Sequence, residues 1–371
     1  MNSLGFQKKE QDTRVVVAMS GGVDSSVAAV MLKKQGYEVI GITLQLYDHG
    51  SAINNKKACC AGLDIKDAKN IALEYDFPHY VLDYESIFKE SVIDDFADSY
   101  LRGETPIPCV KCNQSVKFKD LFKVAKDLNA DCLVTGHYVQ RINDERGLMM
   151  LKGIDQNKDQ SYFLFATTKN QLNFLRFPLG DKTKEETRKI AKEFDIKIAD
   201  KPDSQDICFV PDGNYQKVIN KIRPTSFKEG DIVDLSGNIL GKHNGIINYT
   251  IGQRRGLGIS NKDPLYVVKI NPKKNQVIVG YEEDLMGQEF VIKELNWLGS
   301  DDIFNNEIEF EVKLRSVGNL QKAIIKADQN NQTAIIKMVK SARAITKGQA
   351  CVIYDGERVM GGGWISEVMI S

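Results

Sequence analysis

Across roughly the first 200 residues, hydrophobic positions switch between a strand-like and a helix-like period. Val15–Met19 is a short, mostly β-branched run and reads as a strand. Val27, Val30 and Met31 then recur at helical spacing, so Asp24–Gln35 reads as a helix, ended by Gly36. Glu38–Leu46 reads as a second strand. Asp64–Tyr75 reads as a helix with Ile65, Ala68, Ile71 and Ala72 on one face, and His79–Leu82 as a third strand. Ile87–Leu101 and Phe118–Leu128 have helical spacing, and Asp131–Thr135 is an apolar strand running into Gly136-His137-Tyr138. Such alternation predicts an α/β fold with a parallel sheet covered by helices on both faces. Ligands of these sheets sit at the carboxyl ends of the strands. Ser20-Gly21-Gly22 and Gly136-His137-Tyr138 both fall there.

The pattern changes after about residue 215, where helical spacing fades. Short strands punctuated by glycine follow at Asp231–Leu235, Leu265–Ile270 and Gln276–Val279. From about residue 288 successive strands alternate with turns at Gly318-Asn319, Asn330-Asn331, Gly348 and Asp355-Gly356, which suits a small β-barrel. The predicted division is 1–215, 216–287 and 288–371, in keeping with a chain of 371 residues, too long for one typical core.

Composition narrows the class. Hydrophobic residues make up 42% and charged residues 27%, values of an ordinary globular protein. The formal net charge is zero, so any nucleic-acid contact must come from a local basic face. No apolar run approaches a membrane span, and Met1–Arg14 is polar with no signal-like core, so a cytoplasmic protein without membrane contact is expected. Seven cysteines stand at 59, 60, 109, 112, 132, 208 and 351. An odd number in such a chain argues for redox or metal chemistry over a disulfide framework.

The most specific local motif is Ser20-Gly21-Gly22-Val23-Asp24-Ser25-Ser26, directly after the first strand. Two glycines let the backbone approach a ligand closely. The N–H groups at the start of the following helix favour an anion, and the serines add hydroxyl donors. No lysine follows, so this is not the G-x-x-x-x-G-K-[ST] loop. It resembles the pyrophosphate loop of the N-type ATP pyrophosphatases, which adenylate a substrate and release pyrophosphate.

Two cysteine segments add chemistry. In Thr105-Pro106-Ile107-Pro108-Cys109-Val110-Lys111-Cys112-Asn113 the prolines favour an extended approach. Cys112 then falls near a helix start beside Lys111, which predicts a depressed thiol pKa; the plain alternative is a buried structural cysteine. Lys201-Pro202-Asp203-Ser204-Gln205-Asp206-Ile207-Cys208-Phe209 is polar and proline-marked, so Cys208 reads as an accessible thiol on a loop.

Taken in order, S-G-G-V-D-S-S, T-P-x-P-C-V-x-C-N, T-G-H-Y, K-D-Q-S-Y-F-L, D-S-Q-D-I-C-F, G-x-H-x-G-x-x-x-Y-T-I-G-Q-R-R-G-L-G-I, R-A-I-T-x-G-Q-A and G-G-G-W-I resemble the bacterial tRNA-specific 2-thiouridylase family. The resemblance spans Val15 to Ile365. It implies an ATP pyrophosphatase domain over 1–215, a small tRNA-contacting domain over 216–287 and a C-terminal β-barrel over 288–371. It also implies ATP-dependent 2-thiolation of the wobble uridine, position 34, in tRNAs for glutamate, glutamine and lysine. AMP makes the base oxygen a leaving group and sulfur then replaces it. By motif position Cys208 resembles the persulfide carrier and Cys112 the thiol that resolves it. Ala18, Met19, Ser20, Gly21, Gly22, Val23, Asp24 and Ser25 would hold ATP phosphates, with Leu44 and Gly136 beside the adenine or ribose. Asp24 would engage Mg²⁺ or orient the loop. The implied partners are the tRNA anticodon arm and a cysteine desulfurase or sulfur-relay protein.

One residue departs from the family pattern, which commonly has an aspartate where Cys109 stands, and this leaves the general base unassigned. The replacement creates a trio, Cys109, Cys112 and Cys208, like the ligands of iron–sulfur-dependent tRNA thiolases, so a [4Fe-4S] route stands beside the persulfide–disulfide route. A zinc site is disfavoured, since only one C-x-x-C pair exists. The expected tRNA contacts are Ile107, Pro108 and Cys109; Lys158, Asp159 and Gln160; Arg254 and Arg255; and Arg315 and Ser316. Tyr162, Phe163 and Phe165 read as core more than as base-stacking rings. Other classes remain open on sequence alone: a small-acid adenylating ligase sharing the loop, or a non-enzymatic RNA-binding or sulfur-carrier protein.

Overall fold

A computed structural model describes residues 1–47, 60–203, 207–210 and 213–369. The chain gathers into two compact units. One takes Met1–Ser91, Cys109–Pro211 and Glu357–Val359; the other takes Val92–Pro108, Asp212–Gly356 and Met360–Ser371.

The first unit contains β1 (Arg14–Ala18), β2 (Glu38–Gln45), β3 (His79–Asp83), β4 (Cys132–Val134), the hairpin β5 (Val139–Asp144) and β6 (Gly147–Lys152), and the short β7 (Leu175–Arg176). Five of them make a sheet in the order β3-β2-β1-β4-β7, and every pair is parallel. Val16 stands between Ile40 and Leu133 in register. Val15, Val16 and Val17 are all fully buried, so both faces of β1 are covered, as a continuous apolar run in a central parallel strand requires. The unit's longer α-helices are α1 (Val23–Lys34), α2 (Cys60–Glu74), α3 (Asp120–Asp127), α4 (Lys169–Phe174) and α5 (Lys184–Glu193). Val27, Ala28, Ala68, Ile71 and Ala191 from three of these helices pack on Val15, Val17 and Val39 in one core.

The expected strands and α1 fall within a residue or two of their predicted places. The β5–β6 hairpin, α4 and α5 were not anticipated. Both helices open with a capping box, Thr168 with Gln171 and Thr183 with Glu186. Cys112–Lys117, expected to lie at a helix start, is instead a π-helical stretch following the short helix Pro108–Lys111. Tyr162 and Phe165 are buried as expected. Phe165→Ala should cost about 3–5 kcal/mol, the usual penalty for emptying a fully buried aromatic site. A fall in the denaturant midpoint of the first unit checks this; an unchanged midpoint would place Phe165 outside the core.

The second unit holds a four-stranded sheet and a barrel. The sheet comprises β8 (Gly230–Val233), β9 (Ile239–His243), β10 (Tyr266–Asn271) and β11 (Gln276–Gly280), in the order β10-β11-β8-β9. The barrel strands are β12 (Met286–Trp297), β13 (Ile308–Lys313), β14 (Gln321–Asp328), β15 (Thr333–Arg343), β16 (Ala350–Asp355) and β17 (Arg358–Met369). β12 pairs antiparallel with both β15 and β17, which closes the six strands into a ring. Phe290, Ile292, Val312, Ile325, Ile336, Ile353 and Ile365 fill it. Helical structure does not end at residue 215: Tyr215–Ile222 is a helix capped by the Asn214 side chain on the Lys217 N–H, and Tyr215 stacks on Tyr100 at 4.7 Å. Among the described residues no helix is long and apolar enough to cross a membrane.

Candidate active site

The serine–glycine loop lies at the carboxyl end of β1, as the alternation of elements predicts. Ala18 ends the strand, and Met19 continues its ladder by donating to the Ile42 carbonyl at 2.8 Å while its own carbonyl accepts from Thr43 Oγ1 at 2.9 Å. Ser20 N–H donates to Ser25 Oγ at 3.1 Å, which folds the loop onto the first turn of α1. Gly21 has φ +74°, and a Cβ there would stand 2.2 Å from the Asp64 carbonyl oxygen in α2. Gly136 is excluded from any larger residue in the same way, its Cβ position lying 2.7 Å from Ser25 N. The sequence thus brings Ser20, Gly21, Gly22, Val23, Ser25 and Gly136 together. Leu44 lies near the end of β2, in register with Leu82.

Around this loop runs a set of ion pairs that sequence reading missed. Both oxygens of Asp24 accept from Lys184 Nζ, at 2.7 and 2.9 Å, and Oδ1 also accepts from the Tyr138 hydroxyl at 2.8 Å. The carboxylate of Asp24 is thus tied to the start of α5 and to the segment after β4. Lys184 also reaches Asp203 at 2.7 Å, and Asp203 takes Lys158 at 2.7 Å and Arg188 at 3.2 Å. Partial burial works against the Asp203 charge, but the hydrogen bonds from Lys158 and Lys184 hold its carboxyl down at about 2. Lys201 Nζ donates to the Gly21 carbonyl at 2.9 Å and pairs with Asp64 and Asp67 at 2.6 Å. Asp24 and Lys184 lie far apart in sequence, so no local pattern announces the pair; the capping box at Thr183 was the only nearby signal.

Cys109, Cys112 and Cys208 are free thiols of the same unit, close enough for charge on one to bear on another. Cys112 is 6% exposed, whereas Cys109 and Cys208 are exposed. The depressed pKa expected of Cys112 is not what the fold produces. Burial pushes this thiol up, and the opposing cation is Lys117, not Lys111. Cys208 keeps access to solvent, but crowding by protein atoms, and then the two neighbouring thiols, push it up to about 12. Its segment is seated by Tyr47, whose hydroxyl donates to the Cys208 carbonyl at 2.9 Å, and by Phe209 packed edge-on against Phe88. Ser204, Gln205 and Asp206 lie outside the described residues. Beside Cys112, the buried Asn113 donates to the Phe163 carbonyl, and its Oδ1 has no partner among the described residues. His137 is pushed down to about 3 by burial and bonds Thr135, as a neutral structural histidine does. Among the described residues no group of three or more His, Cys, Asp or Glu is arranged to hold a metal ion.

The expected RNA contacts are divided between the two units. Ile107 and Pro108 are buried. Asp159 caps its own loop by accepting from the Gly153 and Ser161 N–H groups, and Gln160 accepts from the Tyr138 N–H. Arg315 donates to the Ala344 carbonyl, and Ser316 is exposed. Arg254 and Arg255 are exposed in the second unit, and Arg254 lines a polar crevice of about 350 Å³ with Lys262 and Asp263.

Comparison with known proteins accounts for nearly the whole chain. Residues 13–212 match a tRNA methyl transferase HUP domain, 216–281 a tRNA methyl transferase PRC-barrel domain and 287–365 an aminomethyltransferase β-barrel domain. The tRNA-specific 2-thiouridylase MnmA of Rickettsia massiliae is 60% identical over 357 residues, covering 96% of this chain and 98% of that one. Its counterpart in Rickettsia bellii is 60% identical over 365 residues, covering 98% and 99%. Among solved structures, a 4-thiouridine synthetase–RNA complex with bound ATP aligns with 57% of this chain and 51% of that one, at 15% identity and a TM-score of 0.34. With such identity sustained from end to end, the chain belongs to the tRNA-specific 2-thiouridylase family.

Proposed function

We propose that this protein is an ATP-dependent sulfurtransferase that thiolates C2 of the wobble uridine in tRNAs for glutamate, glutamine and lysine. The observation that carries the reading is that Cys112 and Cys208, far apart in sequence, are free thiols of the unit that also holds the serine–glycine loop. The loop, Ala18 to Ser25, with Leu44 and Gly136, binds ATP. The base O2 attacks the α-phosphorus of ATP, and pyrophosphate leaves. The terminal sulfur of a persulfide on Cys208 then adds at C2, and AMP carries away the old oxygen. Cys112 thiolate attacks the Cys208 sulfur, a disulfide forms between them, and the sulfur stays on the base. A dithiol reductant restores both thiols. A cysteine desulfurase or a relay protein supplies the persulfide in the cytoplasm. Mg²⁺ belongs to the nucleotide, since Asp24 is taken by Lys184 and Tyr138.

A [4Fe-4S] route through Cys109, Cys112 and Cys208 is the alternative, and iron and sulfide analysis of anaerobically purified protein decides between the two: about four irons per chain with activity dependent on them overturns the disulfide route. In the proposed division, 1–215 activates the base, while 216–287 and the barrel of 288–371 grip the anticodon arm. The test is incubation of the purified chain with tRNA transcript, ATP, Mg²⁺ and a persulfide donor, followed by nucleoside mass spectrometry. Appearance of 2-thiouridine at position 34 is expected; its absence overturns the reading.

Of the proposed tRNA contacts, Arg254 and Arg255 are adjacent, both exposed and both basic. Arg254→Ala with Arg255→Ala should weaken tRNA binding and lower the log–log salt slope by about 1–2, as loss of two phosphate contacts does. Filter binding at several salt concentrations reads this out. An unchanged slope removes the pair from the interface.

A further inference from the structure

Asp203 occupies an unusual place for a carboxylate. It collects Lys158, Lys184 and Arg188, and through Lys184 it is joined to Asp24 in the first turn of the helix that follows the glycine loop. Lys184 is only 9% exposed, so its charge depends on anions brought to it by the protein or by a ligand. Arg188 is fixed independently, donating to the Ala199 and Lys201 carbonyls at 2.7 and 3.1 Å. The cations are thus assembled beside a loop built for an anion, and one of the two carboxylates on Lys184 comes from outside that loop. Asp203 supplies negative charge next to the place where the nucleotide supplies several.

We propose that Asp203 is a placeholder for the nucleotide polyphosphate: Lys184, with Lys158 in support, exchanges Asp203 for phosphate oxygens when ATP binds, so Lys184 is a binding residue and Asp203 a competitor for it. This rests on the reading that the loop binds ATP. It gives Asp203 a role opposite to that of a structural ion pair. Removing a structural partner weakens the site, whereas removing a competing anion leaves Lys158 and Arg188 without a carboxylate and Lys184 with Asp24 alone, which raises the local potential for phosphate.

The experiment is calorimetric titration of the full chain with a non-hydrolysable ATP analogue and Mg²⁺, with thermal melts run in parallel. Asp203→Asn is expected to tighten binding at least about threefold, Lys184→Met to weaken it at least about tenfold, and Lys184→Arg to restore most of the loss. Lys158→Met should weaken it less than Lys184→Met. Unchanged or weaker binding by a folded Asp203→Asn chain overturns the proposal. Should that variant fail to fold, the lysine series decides: equal affinity in Lys184→Met and the parent chain overturns it, and the graded loss supports it. Failure of the parent chain itself to bind the analogue would overturn the nucleotide reading instead.

Discussion

Cys208→Ser should abolish tRNA thiolation while leaving tRNA-stimulated pyrophosphate release within a few-fold of the parent. Adenylation needs the loop and the base; only the second half-reaction needs a sulfur carrier. A serine hydroxyl can neither hold a persulfide nor form a disulfide, so the loss should exceed about 10³-fold, a missing-nucleophile effect and not a tuning effect. Paired assays on one preparation, radiolabelled pyrophosphate release and nucleoside mass spectrometry, separate the two steps. Loss of both would place Cys208 in substrate binding, and retention of thiolation would remove it from the reaction.

The environment of Cys208 adds a pH signature to the same residue. Deprotonation makes the nucleophile, and a thiol held at about 12 carries thiolate on the order of 10⁻⁴–10⁻⁵ near pH 7.5. Its alkylation by iodoacetamide should therefore rise about tenfold per pH unit from 7 to 10, without the levelling of an ordinary thiol near its pKa of about 8.5. Peptide mass spectrometry of the Cys208 peptide follows the rate. A plateau below pH 9 would mean that crowding by protein and the neighbouring thiols does not govern the group.

Signals carried by neighbouring residues were legible in the sequence, and signals created by burial were not. The strand, loop and helix over 14–34 follow from a β-branched run, two glycines and helical spacing, all within a short window. The cysteines were found because the motifs place them. The direction of the Cys112 pKa was misread because Lys111 is visible in sequence, while 94% burial of the residue and the cation that actually opposes it, Lys117, arise only on folding. The β5–β6 hairpin was missed because VQRIND and GLMMLK mix charge and apolar residues without clean alternation. The Asp24–Lys184–Asp203 bridge joins three distant segments, and propensity is silent about such pairs.

Gly21→Ala should lower pyrophosphate release by at least about 100-fold and destabilise the first unit, whereas Gly22→Ala should leave the fold's melting temperature nearly unchanged. The two glycines are adjacent but differently constrained. Gly21 has φ +74°, which costs any residue with a Cβ roughly 1–2 kcal/mol before contacts are counted. Its Cβ would also lie 2.2 Å from the Asp64 carbonyl oxygen, and backbone of α2 cannot rotate aside as a side chain would. The loop must then move, and Lys201, which donates to the Gly21 carbonyl while pairing with Asp64 and Asp67, resists a small adjustment. A displaced loop loses the alignment of N–H groups on which phosphate positioning rests, and about 2.7 kcal/mol at the transition state is already 100-fold in rate. Gly22 has φ −89°, and its Cβ would meet nothing nearer than Ser20 Oγ at 3.4 Å, ordinary contact. Thermal melts with pyrophosphate assays on both variants check the contrast. If Gly21→Ala retains both stability and activity, close approach of α2 is not what fixes the loop.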